Sequence, residues 1–284
     1  MIEIEKVGVV GLGTMGAGIA QVCVQAGFET VGREVSDELA ERGRSTIDHY
    51  LSRGVEKGRM TGEEKDAALG RLALTTDLGA LAGCDLVIEA VIEDLPTKQT
   101  LLSELEGVVG ENAILATNTS ALSVTEIADV TEHPERVLGM HFFNPAPVLK
   151  LVEVVRAART SDEAFDTAYA FAERIGKEPI ACSDTPGFVV NRILIPLLND
   201  CVRVIDEAGV TPEDVDRAMT CGANWPIGPC ALIDLIGIDV HVHASHALAQ
   251  ALGEERMAPP PRLLELLEAG KLGRKTGQGF FKYD

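Results

Sequence analysis

His141 and Glu153 are the two side chains whose types and spacing best suit the movement of a proton. Val137, Leu138 and Met140 form an apolar run into His141, and Asn144-Pro145-Ala146-Pro147 then stops any strand or helix from continuing. That places the imidazole at the carboxyl end of a strand, where open α/β sheets bind ligands. Twelve residues on (153 − 141), Glu153 interrupts the otherwise apolar run Leu151 to Val155, so a half-buried carboxylate there needs a partner. His141 is the economical one. An imidazole held by a carboxylate is a tuned general base, because its ordinary pKa lies close to neutral pH. A packed, hydrogen-bonded core histidine beside an edge glutamate fits this stretch equally well.

A second constellation lies at the N-terminus. Val7 to Val10 is a short apolar strand, Gly11, Leu12, Gly13, Thr14, Met15 and Gly16 follow it, and Ala17 to Ala26 reads as a helix closed by Gly27. In such a turn the first glycine permits the tight bend and the second lets the backbone approach a pyrophosphate. The third lets the helix pack on the strand, and the helix's unpaired N–H groups face the phosphate. A further strand, Phe28 to Val31, leads to Glu34, 18 residues past Gly16 (34 − 16), near the spacing of about 20 at which an acid meets the adenosine ribose. Glu34 favours NAD over NADP, and Arg33 beside it leaves NADP open.

These groups need a scaffold. Apolar strands Leu72 to Thr75, Asp85 to Val91 and Ala113 to Ala116 each run into a polar cluster, so that Gly13, Glu93, Asn118, Ser120 and His141 reach one edge of a parallel sheet. Lys98 lies one turn into the helix after Glu93, and Ser123 or Thr125 suits the cap of the next helix. Pro186-Gly187 marks a break. Beyond it come only helices: a long apolar one from Phe188 to Ala208 with Asn191 and Arg192 near its start, one opened by Thr211-Pro212, and stretches over 231–253 and 261–269. The expectation is therefore an α/β chain, with a doubly wound, mainly parallel sheet over 1–184 and a smaller all-helical domain over 185–284.

The net charge of −19 (25 − 44) argues against nucleic acid and requires any anionic ligand to be met by local groups. Such a local group exists from Ser36 to about Gly58, a helical stretch polar on one face that carries Arg42, Arg44, His49, Arg53, Lys57 and, just past it, Arg59. It suits either a solvated helix face or a phosphate-rich substrate. The six cysteines are widely spaced without metal-ligand patterns, as expected of buried thiols in a reducing compartment. With neither a leader-like N-terminus nor a long apolar run, the expectation is a cytoplasmic protein that does not enter the membrane. The long apolar helix of the second domain suggests a homodimer.

Taken together the motifs resemble the short-chain 3-hydroxyacyl-CoA dehydrogenases over the whole chain, and among them the bacterial 3-hydroxybutyryl-CoA enzymes. The resemblance is carried by Gly11 to Ala20, Asn118-Thr119-Ser120, His141 to Pro147 with Lys150 to Val154, Thr185 to Arg192, and Leu272 to Phe280. It implies a Rossmann-type NAD domain, with the helical domain binding substrate and pairing two copies. It also implies His141 as general acid/base, Glu153 as its orienting partner, and Ser120 and Asn191 as hydrogen-bonding groups at the substrate's 3-oxygen. Glu34 then matches the ribose acid, Glu93, Lys98 and Asn144 lie near the nicotinamide end, Lys275 is a C-terminal cofactor contact, and Lys57 with Tyr50 meets coenzyme A. The implied substrate is an acyl-CoA of the 3-hydroxybutyryl type; the alternatives are 3-hydroxyadipyl-CoA, or a non-catalytic, crystallin-like NAD-binding member. Three positions depart from the family pattern: Ala121 follows Ser120 in place of a second serine, Gly32 replaces a larger apolar residue, and Trp225-Pro226-Ile227 replaces His or Tyr, Pro and Met.

Overall fold

The computed structural model describes residues 2–283. By backbone contacts the chain divides into two compact units, Met1–Thr185 and Pro186–Asp284. The first contains eight strands: β1 (Lys6–Val10), β2 (Glu29–Arg33), β3 (Leu72–Thr75), β4 (Leu86–Glu89), β5 (Ile114–Thr117), β6 (Val137–Phe142), β7 (Leu151–Arg156) and β8 (Glu178–Ser183). Its helices are α1 (Thr14–Gln25), α2 (Asp37–Glu56), α3 (Gly62–Gly70), α4 (Leu95–Glu106), α5 (Val124–Ala128) and α6 (Asp162–Arg174).

The strands form one sheet in the order β3-β2-β1-β4-β5-β6-β7-β8. All neighbours are parallel except β6 and β7. The order reverses direction at β1 and β4, which opens a crevice at the carboxyl ends of those two strands. The central strands β1, β4, β5 and β6 are buried on both faces, as their continuous apolar runs require, while the edge strand β8 is half-buried to exposed throughout. Strand alternation sorts the residues: Leu86, Ile88, Ile114, Ala116, Leu138 and Met140 join the core on one side, and Val87, Leu115 and Val137 join the core on the other. By the same alternation His141 and Glu153 point to the second side, that of α4 and α5, whose Leu101, Leu102, Leu105 and Ile127 fill it. Ser36, Asp94 and Ser123 cap α2, α4 and α5 by accepting the Leu39, Thr97 and Glu126 amides.

The second unit is helical: α7 (Val190–Ala208), α8 (Pro212–Arg217), α9 (Pro229–Ile236), α10 (Ile238–Leu252) and α11 (Pro261–Glu268). The expected single stretch over 231–253 is in fact two helices. They break at Gly237, whose φ of +104° suits glycine alone, and where a Cβ would stand 3.0 Å from Asp239 Oδ1. Leu198 and Val202 of α7, Ile233 of α9, Ile238 of α10 and Leu263 of α11 form its core. All six cysteines are free. Against the expectation of buried thiols throughout, Cys182 on the edge strand β8 is half-buried and Cys221 is exposed, the latter lying on the π-helical turn Ala218–Gly222 that follows α8.

This core also holds a polar triad of Asn199, His241 and Ser245, each fully buried. The Asn199 amide nitrogen donates to Ser245 Oγ at 3.2 Å and to the Met257 carbonyl at 3.0 Å, so its oxygen faces His241 Nε2, 2.9 Å away. His241 Nδ1 has no partner among the described residues. Burial pushes this imidazole down from 6.5 to about 4. The unfolded chain therefore binds an extra proton between those values, and stability is lost as pH falls from about 6.5 toward 4, by about 3 kcal/mol in all. Urea titrations at pH 7 and pH 4.5 should show a smaller loss for His241→Gln than for the unaltered protein; equal losses would refute the assignment.

Candidate active site

The dinucleotide turn is built by contacts that exclude side chains. Gly11 has a φ of +86° and its amide donates to the Arg33 carbonyl at 2.9 Å, tying the end of β1 to the end of β2. A Cβ on Gly16 would run into the Gly11 carbonyl oxygen. At Gly13, the residue before α1, an added Cβ would meet nothing within 4 Å among the described residues, and none of their side chains caps the helix. Open space above an uncapped helix N-terminus is where a pyrophosphate binds. A cleft of about 750 Å³ extends from this turn, lined by Gly11, Gly13, Glu34, Val35, Ile92 and Thr97 among others. Val35 and Ile92 are each 70% exposed, apolar surface that suits a flat heterocycle. The Glu34 carboxylate stands at its mouth, accepting the Leu12 amide at 2.5 Å and the Val35 amide at 3.1 Å. These residues fit a dinucleotide.

Farther along the same sheet edge stands His141. It is paired directly with Glu153 across the antiparallel β6–β7 ladder, so both side chains emerge on one face. His141 Nδ1 lies 2.6 Å from Glu153 Oε2; the carboxylate is fully buried and the imidazole is 4% exposed. An ionised carboxylate only accepts, so Nδ1 carries the proton of this bond and Nε2 is the atom suited to exchange a proton with a substrate. The Phe143 ring packs 4.5 Å from the imidazole.

Between the turn and the histidine lies a network of charges. Lys98 and Glu89 are both buried, and Lys98 Nζ meets both Glu89 oxygens at 2.9 Å. Glu89 also accepts the Thr117 hydroxyl and the Val91 amide. Lys98 reaches Glu93 at 3.4 Å. Glu93 Oε1 in turn accepts the Thr119 hydroxyl at 2.6 Å and the amides of Ser120 and Ala121 at 2.8 and 3.0 Å. Burial raises the Glu93 pKa, but Lys98 and these three donors outweigh it and hold the carboxyl below its usual range. The strand ends that carry Glu89, Thr117 and Ser120 are thus tied into one piece.

Both halves of the chain match one family: its NAD binding domain over residues 6–185 and its C-terminal domain over residues 187–283. The chain belongs to the 3-hydroxyacyl-CoA dehydrogenase family. It is 44% identical to the 3-hydroxybutyryl-CoA dehydrogenase of Mycobacterium tuberculosis, with 99% of each chain covered. It is 41% identical to the enzyme of the same name from Bradyrhizobium diazoefficiens, covering 99% of this chain and 96% of that one. The crystal structure of (S)-3-hydroxybutyryl-CoA dehydrogenase from Ralstonia eutropha superposes with a TM-score of 0.96 at 41% identity, covering 99% of this chain and 100% of that one. The first unit of this 3-hydroxyacyl-CoA dehydrogenase is accordingly an NAD-binding domain, and the protein is an oxidoreductase.

Other residues expected at the site stand as follows. Asn118 is a brace, its Oδ1 accepting the Phe142 amide at 2.9 Å. Asn144 is exposed on the loop after β6. Tyr50 is exposed on α2 and stacks edge-on with His49, and Lys57 is the C-cap residue of that helix. In the second unit, Asn191 lies in the first turn of α7, and Lys275 pairs with Asp239 at 2.5 and 2.6 Å. The glycines around Lys275 have a packing reason: Gly273 and Gly279 abut Asp234, which accepts the Phe280 and Phe281 amides and the Tyr283 hydroxyl. No described helix is long and apolar enough to cross a membrane, and no metal-binding cluster occurs among the described residues.

Sequence reasoning missed two residues. Glu89 interrupts an apolar strand just as Glu153 does, so the same signal could have found it. Lys177, immediately before β8, is buried and donates to the carbonyls of Ala146 and Leu149, the latter at 2.9 Å. It clamps the loop that carries Asn144, and burial draws its pKa below the usual lysine range. Nothing in the sequence separates it from a surface lysine.

Proposed function

We propose that this enzyme interconverts (S)-3-hydroxybutyryl-CoA and acetoacetyl-CoA with NAD, His141 being its general acid/base. The observation that supports this most is the His141–Glu153 pair on the sheet edge that also carries the dinucleotide turn. Hydride exchange with C3 of the substrate is the chemistry that NAD supplies when bound. The turn from Gly11 through Leu12, Thr14 and Met15 to Gly16 holds the pyrophosphate with the α1 amides, and Glu34 accepts the ribose hydroxyls. Glu93 and Asn144 belong to the nicotinamide end, with Lys98, engaged by Glu89, positioning Glu93, and Lys275 is a further cofactor contact from the C-terminal unit.

In the oxidative direction His141 Nε2 removes the proton of the C3 hydroxyl, and Glu153 stabilises the imidazolium that results. Ser120 and Asn191 hydrogen-bond the 3-oxygen, stabilising the charge that develops there. Reduction returns the proton from Nε2 along the same path. Tyr50, Lys57 and the basic face of α2 receive the coenzyme A phosphates. The protein works as a cytoplasmic homodimer through its C-terminal unit, whose α7 exposes Ile193 and Val204.

A panel of 3-oxoacyl-CoAs of increasing length, with one dicarboxylic member, run separately with NADH and NADPH, tests the reading. The highest kcat/KM should fall on acetoacetyl-CoA with NADH. A preference for the dicarboxylic substrate would replace it with a 3-hydroxyadipyl-CoA activity. Binding of NADH without oxidation by any member would make the protein a non-catalytic relative.

A further inference from the structure

Leu12 occupies a niche that two glycines leave open. It stands inside the dinucleotide turn, yet its side chain is buried. A Cβ at Gly32, within β2, would lie 2.8 and 3.1 Å from its two terminal methyl carbons. One at Gly43, within α2, would lie 2.6 Å from Leu12 Cβ and 3.2 Å from its carbonyl oxygen. Glycine weakens the interior of both strands and helices, so local propensity disfavours it at each position. The buried leucine supplies the reason for both. It also gives Gly32, a departure from the family pattern, a partner inside the phosphate turn.

The leucine's own amide is what Glu34 Oε1 accepts at 2.5 Å, while Oε2 is held by Val35. We infer that Leu12, seated between Gly32 and Gly43, is a positioning residue for the coenzyme: the seat fixes its amide, the amide fixes the Glu34 carboxylate, and the carboxylate's place sets NADH affinity and NADPH rejection. This rests on the proposed role of Glu34 at the ribose. The physical link is short. Repulsion between the carboxylate and a 2′-phosphate varies inversely with their separation, and hydroxyl acceptance requires hydrogen-bond distance, so a small shift of the turn alters both.

Gly32→Val tests the seat, because valine suits a strand and any loss cannot come from strand propensity. Overpacking of this kind should raise the NADH dissociation constant about tenfold and narrow the NADH-over-NADPH preference, with kcat at saturating NADH changed by less than about twofold. Leu12→Ala removes both Leu12 methyl carbons that the introduced valine side chain would strike and leaves the flexible tip of Leu74, whose Cδ2 would lie 3.1 Å from the new Cβ and can turn aside, so the double variant should recover affinity to within about threefold of the unaltered protein. Gly43→Ala should also weaken NADH binding, but Leu12→Ala should not rescue it, since alanine keeps the Cβ and carbonyl that conflict there. If Gly32→Val does not fold, Gly32→Ala serves in its place. Unchanged NADH affinity and coenzyme preference in the folded Gly32 variant, or a double variant no better than that single one, would overturn the inference. Glu34→Ala separates the two claims. If it changes NADH affinity and NADPH rejection while the Gly32 variant changes neither, only the seat fails; if Glu34→Ala itself changes neither, the ribose role fails.

Discussion

Replacing His141 with glutamine is expected to lower turnover of acetoacetyl-CoA by about 10²–10⁴-fold, the usual worth of general acid/base catalysis, while NADH binds as before. The side chain sits at the carboxyl end of β6, separated by β4 and β5 from the glycine turn after β1, so the two proposed functions should separate. Glutamine keeps a donor for Glu153 and so avoids stranding a buried carboxylate, but it cannot take a proton from the substrate. The two readings that the sequence left open predict opposite results. A merely packed histidine would leave turnover near normal and lower the melting temperature; a base would lose turnover with modest change in stability. Glu153→Gln should act in the same direction but less strongly, since Nδ1 keeps its acceptor and only the charge that stabilises the imidazolium is lost. A correctly folded His141→Gln protein that reduces acetoacetyl-CoA at close to the normal rate would sink the assignment.

How far the site could be read in advance depended on how local each signal was. The glycine turn and the strands were legible because their constraints lie within a few residues: positive φ at Gly11, no room for a Cβ at Gly16, apolar runs with both faces buried. Glu153 was legible because a lone acid in an apolar strand requires a partner. The reversal at β7 was also available. The segment between Phe142 and Leu151 is too short for a parallel crossover, which needs a dozen residues or more, so the pair had to run antiparallel and set His141 opposite Glu153. What stayed hidden involves partners distant in sequence. Lys177 finds carbonyls 31 and 28 residues away. The niche around Leu12 joins a turn, a strand and a helix. Asp184 accepts the Ser123 hydroxyl and the Val124 and Thr125 amides, which no pattern around Asp184 announces. The break at Gly237 was local, yet a glycine within a helical pattern is common enough to pass as tolerated.

The charge network beneath the site carries the largest expected effect on stability. Lys98→Met removes the only cation that meets Glu89 among the described residues, and Glu89 is a carboxylate with no exposure; methionine fills the aliphatic path of the lysine without replacing its donors. Breaking one side of a buried pair costs about 3–5 kcal/mol, because the remaining charge has lost both water and partner. The Thr117 hydroxyl and the Val91 amide still reach Glu89, which places the expected loss toward the lower end of that range. Adding Glu89→Gln to Lys98→Met removes the stranded charge, and an amide can still accept from Val91. The double variant should therefore unfold at a higher urea concentration than Lys98→Met alone. Activity should not follow the same order. Glu93 loses its ammonium partner in both variants, so the loop that presents Ser120 should be less well held in both, and turnover should stay low even where stability returns. If stability and turnover recover together in the double variant, Lys98 serves only the fold; if stability recovers without turnover, the link from Lys98 through Glu93 to Ser120 is part of how the site is positioned.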